Sequence, residues 1–231
     1  MKTRLFICVC ILFSLLSCSS SEKEQLETAL AFADTNRAEL EKVLEYYKND
    51  SLKLKAAIYL IENMPLYYTY KGSDLDSLHI ALEQYAVSDS YDKHLEYLKR
   101  FPYRNLFKEY DAKVITSEYL IENIEYSFKV WRETPWGKYV SFDNFCEFIL
   151  PYRIKDEPLT HWKKDFYHRF KPVLDSLYQG TDVVEATSCL SNYATSLHWK
   201  YQNELTGPHL SAQLLLELQL GDCTSIADFG C

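Results

Sequence analysis

From Leu26 to Leu218 the apolar residues return at steps of three and four, and this period constrains the fold more than any other feature of the chain. A helix turns once in 3.6 residues, so such steps line up one face, whereas a half-buried strand needs alternation by two. Leu26, Leu30 and Ala33 mark the first stripe. Asn36 followed by Glu39 predicts a capping box that opens a helix with Leu40, Val43, Leu44 and Tyr47 on its face. Asp50 or Ser51 caps the next, which carries Leu52, Ala56, Tyr59, Leu60 and Met64 and stops at Pro65. Ser73 with Asp76 opens another through Leu75, Leu78, Leu82 and Tyr85, and a short segment spans Leu95 to Leu98 before Pro102. Thr116 or Ser117 caps the strongest stripe, Leu120, Ile121, Ile124, Phe128 and Trp131, which Pro135-Trp136-Gly137 breaks. Ser141 with Asn144 starts a short helix through Phe145, Phe148 and Ile149, stopped at Pro151. Pro158 suits a first helical turn leading through Trp162, Phe166, Phe170, Val173 and Leu177 to Gly180. A helix follows from Asp182 to Trp199, then a turn at Gly207-Pro208 and a last helix, Ala212 to Leu218, capped by Ser211. No stretch alternates like a strand with convincing flanks, so the expected fold is mainly α.

Composition narrows the function. With 47% hydrophobic and 25% charged residues the chain is globular in type, neither disordered nor a disulfide miniprotein. Asp plus Glu is 33 against Lys plus Arg 25, a net charge of -8, which disfavours nucleic acid as a partner. There is no phosphate-binding glycine loop, no dinucleotide fingerprint, no Gly-x-Ser-x-Gly elbow and no zinc spacing, so no cofactor or metal is expected. The 19 Tyr include Tyr46-Tyr47 and Tyr67-Tyr68-Tyr70. Such rings either form platforms for sugars and peptides or fill helix interfaces with the hydroxyl reaching water, and most here fall on the apolar stripes.

The first residues read as an export address. Lys2 and Arg4 precede an apolar run from Leu5 to Leu16 that is too short to span a bilayer, which needs about 20 residues. Leu15-Leu16-Ser17-Cys18 then matches the lipobox of bacterial lipoproteins, and Ser19, Ser20, Ser21, Glu22 and Lys23 make a polar tether. The resemblance implies cleavage of residues 1–17 and lipidation of Cys18, with 18–24 as a lipidated tether; membrane lipid is thus a partner through Cys18. More than one acyl chain gives stable anchoring. The expected location is the cell envelope, at the outer membrane. Of the remaining cysteines, Cys146, Cys189, Cys223 and Cys231, one pair can bridge, but they do not form a disulfide framework.

The closing segment carries the chemistry. Gly221-Asp222 ends one helix and Cys223 stands where another begins. Unpaired N–H groups and the helix dipole there stabilise a thiolate, as a nucleophile requires. Read from the residues alone, Cys223 is either that nucleophile or a small buried thiol. Gly221-Asp222-Cys223 with Ala227 and Phe229 resembles the start of the transglutaminase-like core, a papain-like fold in which a Gly-x-Cys turn heads the central helix. Asn36 to Leu40, Asn63-Met64-Pro65, and Pro135-Trp136 through Phe145 to Arg153 are similar to the helical region of predicted bacterial lipoproteins that carry this core. The resemblance implies a helical domain at 25–205 and the start of an α+β core at 206–231, with Cys223 as catalytic nucleophile on a peptide or protein amide. In that family the partner histidine and acid follow the cysteine helix. Here the last histidine, His209, precedes it, so the chain is expected to be an N-terminal part, inactive by itself.

Two further constellations compete with this reading. His161, Asp165 and His168 share one helix face, as a metal site would, yet no further ligand is signalled and a solvated polar face is expected. His198 and His209 are candidate bases for Cys223, although the family pattern places its histidine elsewhere. The other class of function is a non-catalytic helical envelope lipoprotein that binds a peptide or glycan.

Overall fold

A computed structural model describes residues 23–86, 100–101, 105–197, 200–201 and 208–221. The fold is mainly α, with nine helices and little strand among the described residues. The principal ones are α1 (23–32), α2 (Arg37–Tyr46), α3 (Ser51–Asn63), α4 (Asp74–Ala86), α5 (Ser117–Glu133), α6 (Trp162–Leu177), α7 (Val183–Thr195) and α8 (Ala212–Leu218).

The expected caps at Asp50, Thr116, Ser141 and Ser211 form, and Asp182, where a helix was expected to begin, also serves as a cap. Asp50 accepts from the N–H groups of Leu52 and Lys53, Thr116 from Tyr119, Ser141 from Asn144, Asp182 from Val184 and Glu185, and Ser211 from Leu214. The capping box at Asn36 and Glu39 does not form. The Asn36 amide instead donates to the carbonyls of Ala112 and Ile115, and Glu39 accepts from the backbone N–H and hydroxyl of Ser117. A residue of α2 therefore serves the first turn of α5, an orphan donor that local sequence gives no means of assigning. Pro158 lies in a loop, and α6 begins at Trp162 without a side-chain cap. Helix α7 ends at Thr195, short of the expected Trp199; His198 and Trp199, like Leu95 to Leu98, lie outside the described residues.

Strand was not expected, yet two short pairs form. Strand β1 (Tyr68–Lys71) runs antiparallel to β2 (Phe107–Tyr110), with Tyr68 opposite Tyr110 and Tyr70 opposite Lys108. Strand β3 (Lys200–Tyr201) lies parallel to β4 (Leu220–Gly221). The β1 stretch was missed because its alternation of Tyr, Thr, Tyr and Lys carries one buried side chain, Thr69. Gly72 ends the strand at φ 155°, where a Cβ would stand 2.5 Å from the Asn105 carbonyl oxygen.

The main core joins α1, α2, α3 and α5. Leu30, Leu40, Val43, Ala56, Leu60, Ile61, Leu120, Ile124 and Phe128 interlock with Ile115, Phe145, Leu150 and Tyr152. Beyond α5 the chain doubles back through Trp136 and Gly137 so that the Phe145 ring stacks on Trp131 at 4.3 Å. The Trp131 indole N–H donates to the carbonyls of Gly137 and Val140 and fixes the bend. Segment Phe145–Ile149 is a π-helix whose wider turn keeps Phe145 and Cys146 inside while Phe148 is exposed. A second cluster gathers Leu78, Ala81, Leu82 and Tyr85 of α4 with Phe101, Leu210, Leu218 and Leu220. No helix of the described residues is long and apolar enough to cross a membrane.

The bend after α5 is tight enough to test. A Cβ on Gly137 would fall 1.7 Å from the Trp131 carbonyl oxygen, a backbone atom that cannot move without dragging the helix end. Gly137→Ala is expected to destabilise the protein by about 2–3 kcal/mol, the upper range for overpacking. Urea unfolding that leaves the midpoint unchanged would contradict this contact.

Candidate functional site

Cys18 and Cys223, the lipidation and nucleophile candidates, both lie outside the described residues, as does Cys231. The approach to Cys223 is described. Ser211 starts α8, Gln219 ends it in the left-handed conformation (φ 51°), and Leu220 and Gly221 are buried against β3. The helix thus ends at Leu218, as expected, and Gln219 rather than Gly221 makes the break. A left-handed residue at this position is a common helix stop even without glycine's freedom.

The trio His161, Asp165 and His168 does not converge. The His161 ring binds Glu122, which also receives Lys164 at 3.0 Å; His168 Nε2 lies 2.9 Å from the Tyr126 hydroxyl; and Asp165 accepts from Gln213. These contacts lace α6 to α5 and α8 rather than facing a common centre. Burial works to raise the Glu122 pKa, but its bonds to Lys164 and His161 outweigh it and leave the carboxyl lowered. Among the described residues no group of three or more acidic, histidine or cysteine side chains is arranged to hold a metal ion.

His209 is held by a carboxylate that no local pattern pairs with it. Its Nδ1 lies 2.6 Å from Asp156 Oδ1, and its backbone N–H donates to the same oxygen at 2.9 Å. Burial raises the pKa of Asp156, and the bonds from His209 more than reverse this, so the carboxyl stays below its ordinary range. A carboxylate on Nδ1 fixes the ring's orientation and tautomer and directs Nε2 outward, here towards the Lys155 ammonium at 3.5 Å. Such a pair can accept and hold a proton at Nε2. Fifty-three positions separate the two residues, so only folding brings them together.

Behind Asp156 lies a buried ion pair. Arg153 contacts Asp111 through Nε at 2.6 Å and Nη2 at 2.7 Å, and the Tyr152 hydroxyl donates to the same carboxylate at 3.1 Å. Arg153 Nη1 donates to the carbonyls of Tyr68, Lys155 and Glu157. Asp111 is fully enclosed, and its loss of hydration pushes the carboxyl up to about 6 against the opposing pull of Arg153 and Tyr152. A second enclosed charge is the Lys163 ammonium. Part of its side chain reaches the surface, but Nζ donates to the Ser127 hydroxyl and the carbonyls of Ile149, Leu150 and Pro151. Burial pushes this amine down to about 7, and the ring of acceptors works the other way by favouring the charged form. Neither charge was legible in the sequence, since the carbonyls that hold Lys163 belong to a turn whose path is set by tertiary packing.

No protein-family model, curated protein or solved structure matches the chain.

Two outcomes follow from these groups. Asp111→Asn removes the carboxyl on which Arg153 Nε and Nη2 and the Tyr152 hydroxyl converge, and each buried donor it strands is expected to cost about 1–3 kcal/mol. Because the folded pKa of Asp111 is raised, its own contribution is fully present below the unfolded value near 3.9 and is lost as pH rises through about 6. The loss in the variant should therefore be larger at pH 5 than at pH 7 in denaturant titrations. Burial pushes the Cys146 thiol up to about 11, so a limiting thiol reagent at neutral pH should label Cys223 well before Cys146. Equal labelling of the two would contradict an activated Cys223.

Proposed function

We propose that the chain is the exported, lipid-anchored helical part of a transglutaminase-like cysteine enzyme, tethered through Cys18 and carrying its nucleophile at Cys223. The observation that carries this reading is the sequence Gly221-Asp222-Cys223, which follows a helix that ends at Leu218 and is capped by a left-handed Gln219. The buried Leu220 and Gly221 give the chain a fixed point from which it enters the cysteine segment. The step is a thiolate attack on an amide carbonyl. The C–S bond forms, the C–N bond breaks, the leaving amine takes a proton, and water or a second amine then resolves the thioester. The Asp156–His209 pair supplies an oriented imidazole on the described chain, although the family pattern places its histidine after the cysteine.

The second reading is a non-catalytic envelope lipoprotein that binds a glycan or peptide, and the half-exposed tyrosines of β1 and β2 favour it.

Two measurements test the first reading. Metabolic labelling with a fatty-acid probe should mark the chain and fail with Cys18→Ser; unchanged labelling would remove the anchor. Amine incorporation into a glutamine peptide is then assayed on the 231-residue chain and on the product of any reading frame that continues it. Incorporation abolished by Cys223→Ala supports thiol chemistry. Incorporation by neither product, or incorporation indifferent to Cys223, overturns it.

A further inference from the structure

One face of the β1–β2 ribbon gathers aromatic rings and cations. Tyr68, Tyr70, Lys108 and Tyr110 share that face by register, and Thr69 on the other face is buried, its hydroxyl donating to the Asp156 carbonyl. Phe32, at the end of α1, extends the row. Neighbouring ring centroids lie 5.4 Å (Phe32–Tyr110), 6.0 Å (Tyr110–Tyr68) and 5.5 Å (Tyr68–Tyr70) apart, all in edge-on contact. The four rings are half-buried, so each keeps part of its surface in water. Lys108 Nζ stands 3.8 Å from the Tyr68 ring centroid and Lys113 Nζ 5.3 Å from that of Phe32, and both lysines are exposed.

We propose that this aromatic, lysine-flanked face of the β1–β2 ribbon binds an acidic polysaccharide, one bearing uronic-acid-type carboxylates. The inference rests on the second reading above, not on the thiol chemistry, and needs neither Cys223 nor His209. Sugar rings present apolar C–H faces that pack on aromatic side chains, and the row offers alternating ring edges and faces at centroid spacings of 5.4–6.0 Å. Charge selects the acidic polymer. The chain as a whole is net -8, so a face with one ammonium group at the Phe32 end of the row and a second over Tyr68 is complementary to carboxylates. A semi-rigid sugar chain also loses less conformational freedom on binding than an acidic peptide of equal charge, which favours the glycan between the two. Single-stranded nucleic acid also combines stacking with negative charge, but its denser phosphates meet stronger repulsion from the acidic remainder of the protein.

The test is affinity electrophoresis of the full chain, in detergent, through gels containing polygalacturonate, neutral pullulan, poly-glutamate or single-stranded DNA. Polygalacturonate should retard the protein most, and added salt should weaken the effect. Tyr68→Ala with Tyr70→Ala should weaken retardation at least tenfold in apparent affinity. Lys108→Gln with Lys113→Gln, two exposed positions that leave the fold intact, should abolish the preference over pullulan. No retardation by polygalacturonate overturns the proposal, as do equal retardation by poly-glutamate or DNA, and full binding by the lysine variant. Loss of amine incorporation in Cys223→Ala with unchanged retardation would separate the two readings.

Discussion

The Arg153–Asp111 pair is the interaction on which the arrangement around the candidate site depends. Both charges are removed from water, and a buried charge persists only when its partners are all in place. Asp111 brings the turn that follows β2, the carbonyl of Tyr68 brings β1, and the carbonyls of Lys155 and Glu157 bring the loop between the π-helix and α6. Asp156 sits between those two carbonyls, and Asp156 in turn holds His209 and the segment leading to α8. One guanidinium thus sets the position of a strand, a turn, a loop and, through the loop, the stretch of chain that enters the cysteine segment.

A similar economy links the helices. Glu39 could have closed its own helix start, but in the folded protein its carboxylate reaches the first turn of α5, while Asn36 takes the carbonyls before it. The Lys163 ammonium gathers the carbonyls at the end of the π-helix, which are the orphan acceptors of a helix C-terminus. In both places a polar side chain from a distant element completes a helix end and makes that end conditional on the tertiary fold. Helix termini then report on packing, which is one reason their stability is shared across the core rather than local.

The two functional readings draw on different parts of the molecule. The thiol reading stands on the Gly221-Asp222-Cys223 sequence and the approach to it through α8. The glycan reading stands on a ribbon built from residues 68–71 and 107–110, held from behind by Thr69 and Arg153. The ribbon and the cysteine segment lie in different parts of the sequence, so each reading can be tested without disturbing the residues of the other.

Helix existence was legible because the apolar period and the caps are local. Asp50, Thr116, Ser141, Asp182 and Ser211 each bond to N–H groups two or three residues away, and the helix from Ala212 to Leu218 falls where its stripe placed it. Cys146 was legible as buried for the same reason, lying on a short apolar run. The β1–β2 pair was not, since a four-residue strand gains its stability from a partner 36 to 42 positions away and from one buried threonine, signals too weak for a periodic pattern. The pairing of Asp156 with His209, the buried Arg153–Asp111 contact and the ring of carbonyls around Lys163 were likewise decided only in three dimensions. The sequence by itself determined that helices form and where several of them are capped, because the apolar period and those caps are settled within one or two turns of backbone. The tertiary structure decided which charges are buried and with whom, because loss of water raises the cost of every unpaired group and only long-range packing selects the partners that offset it.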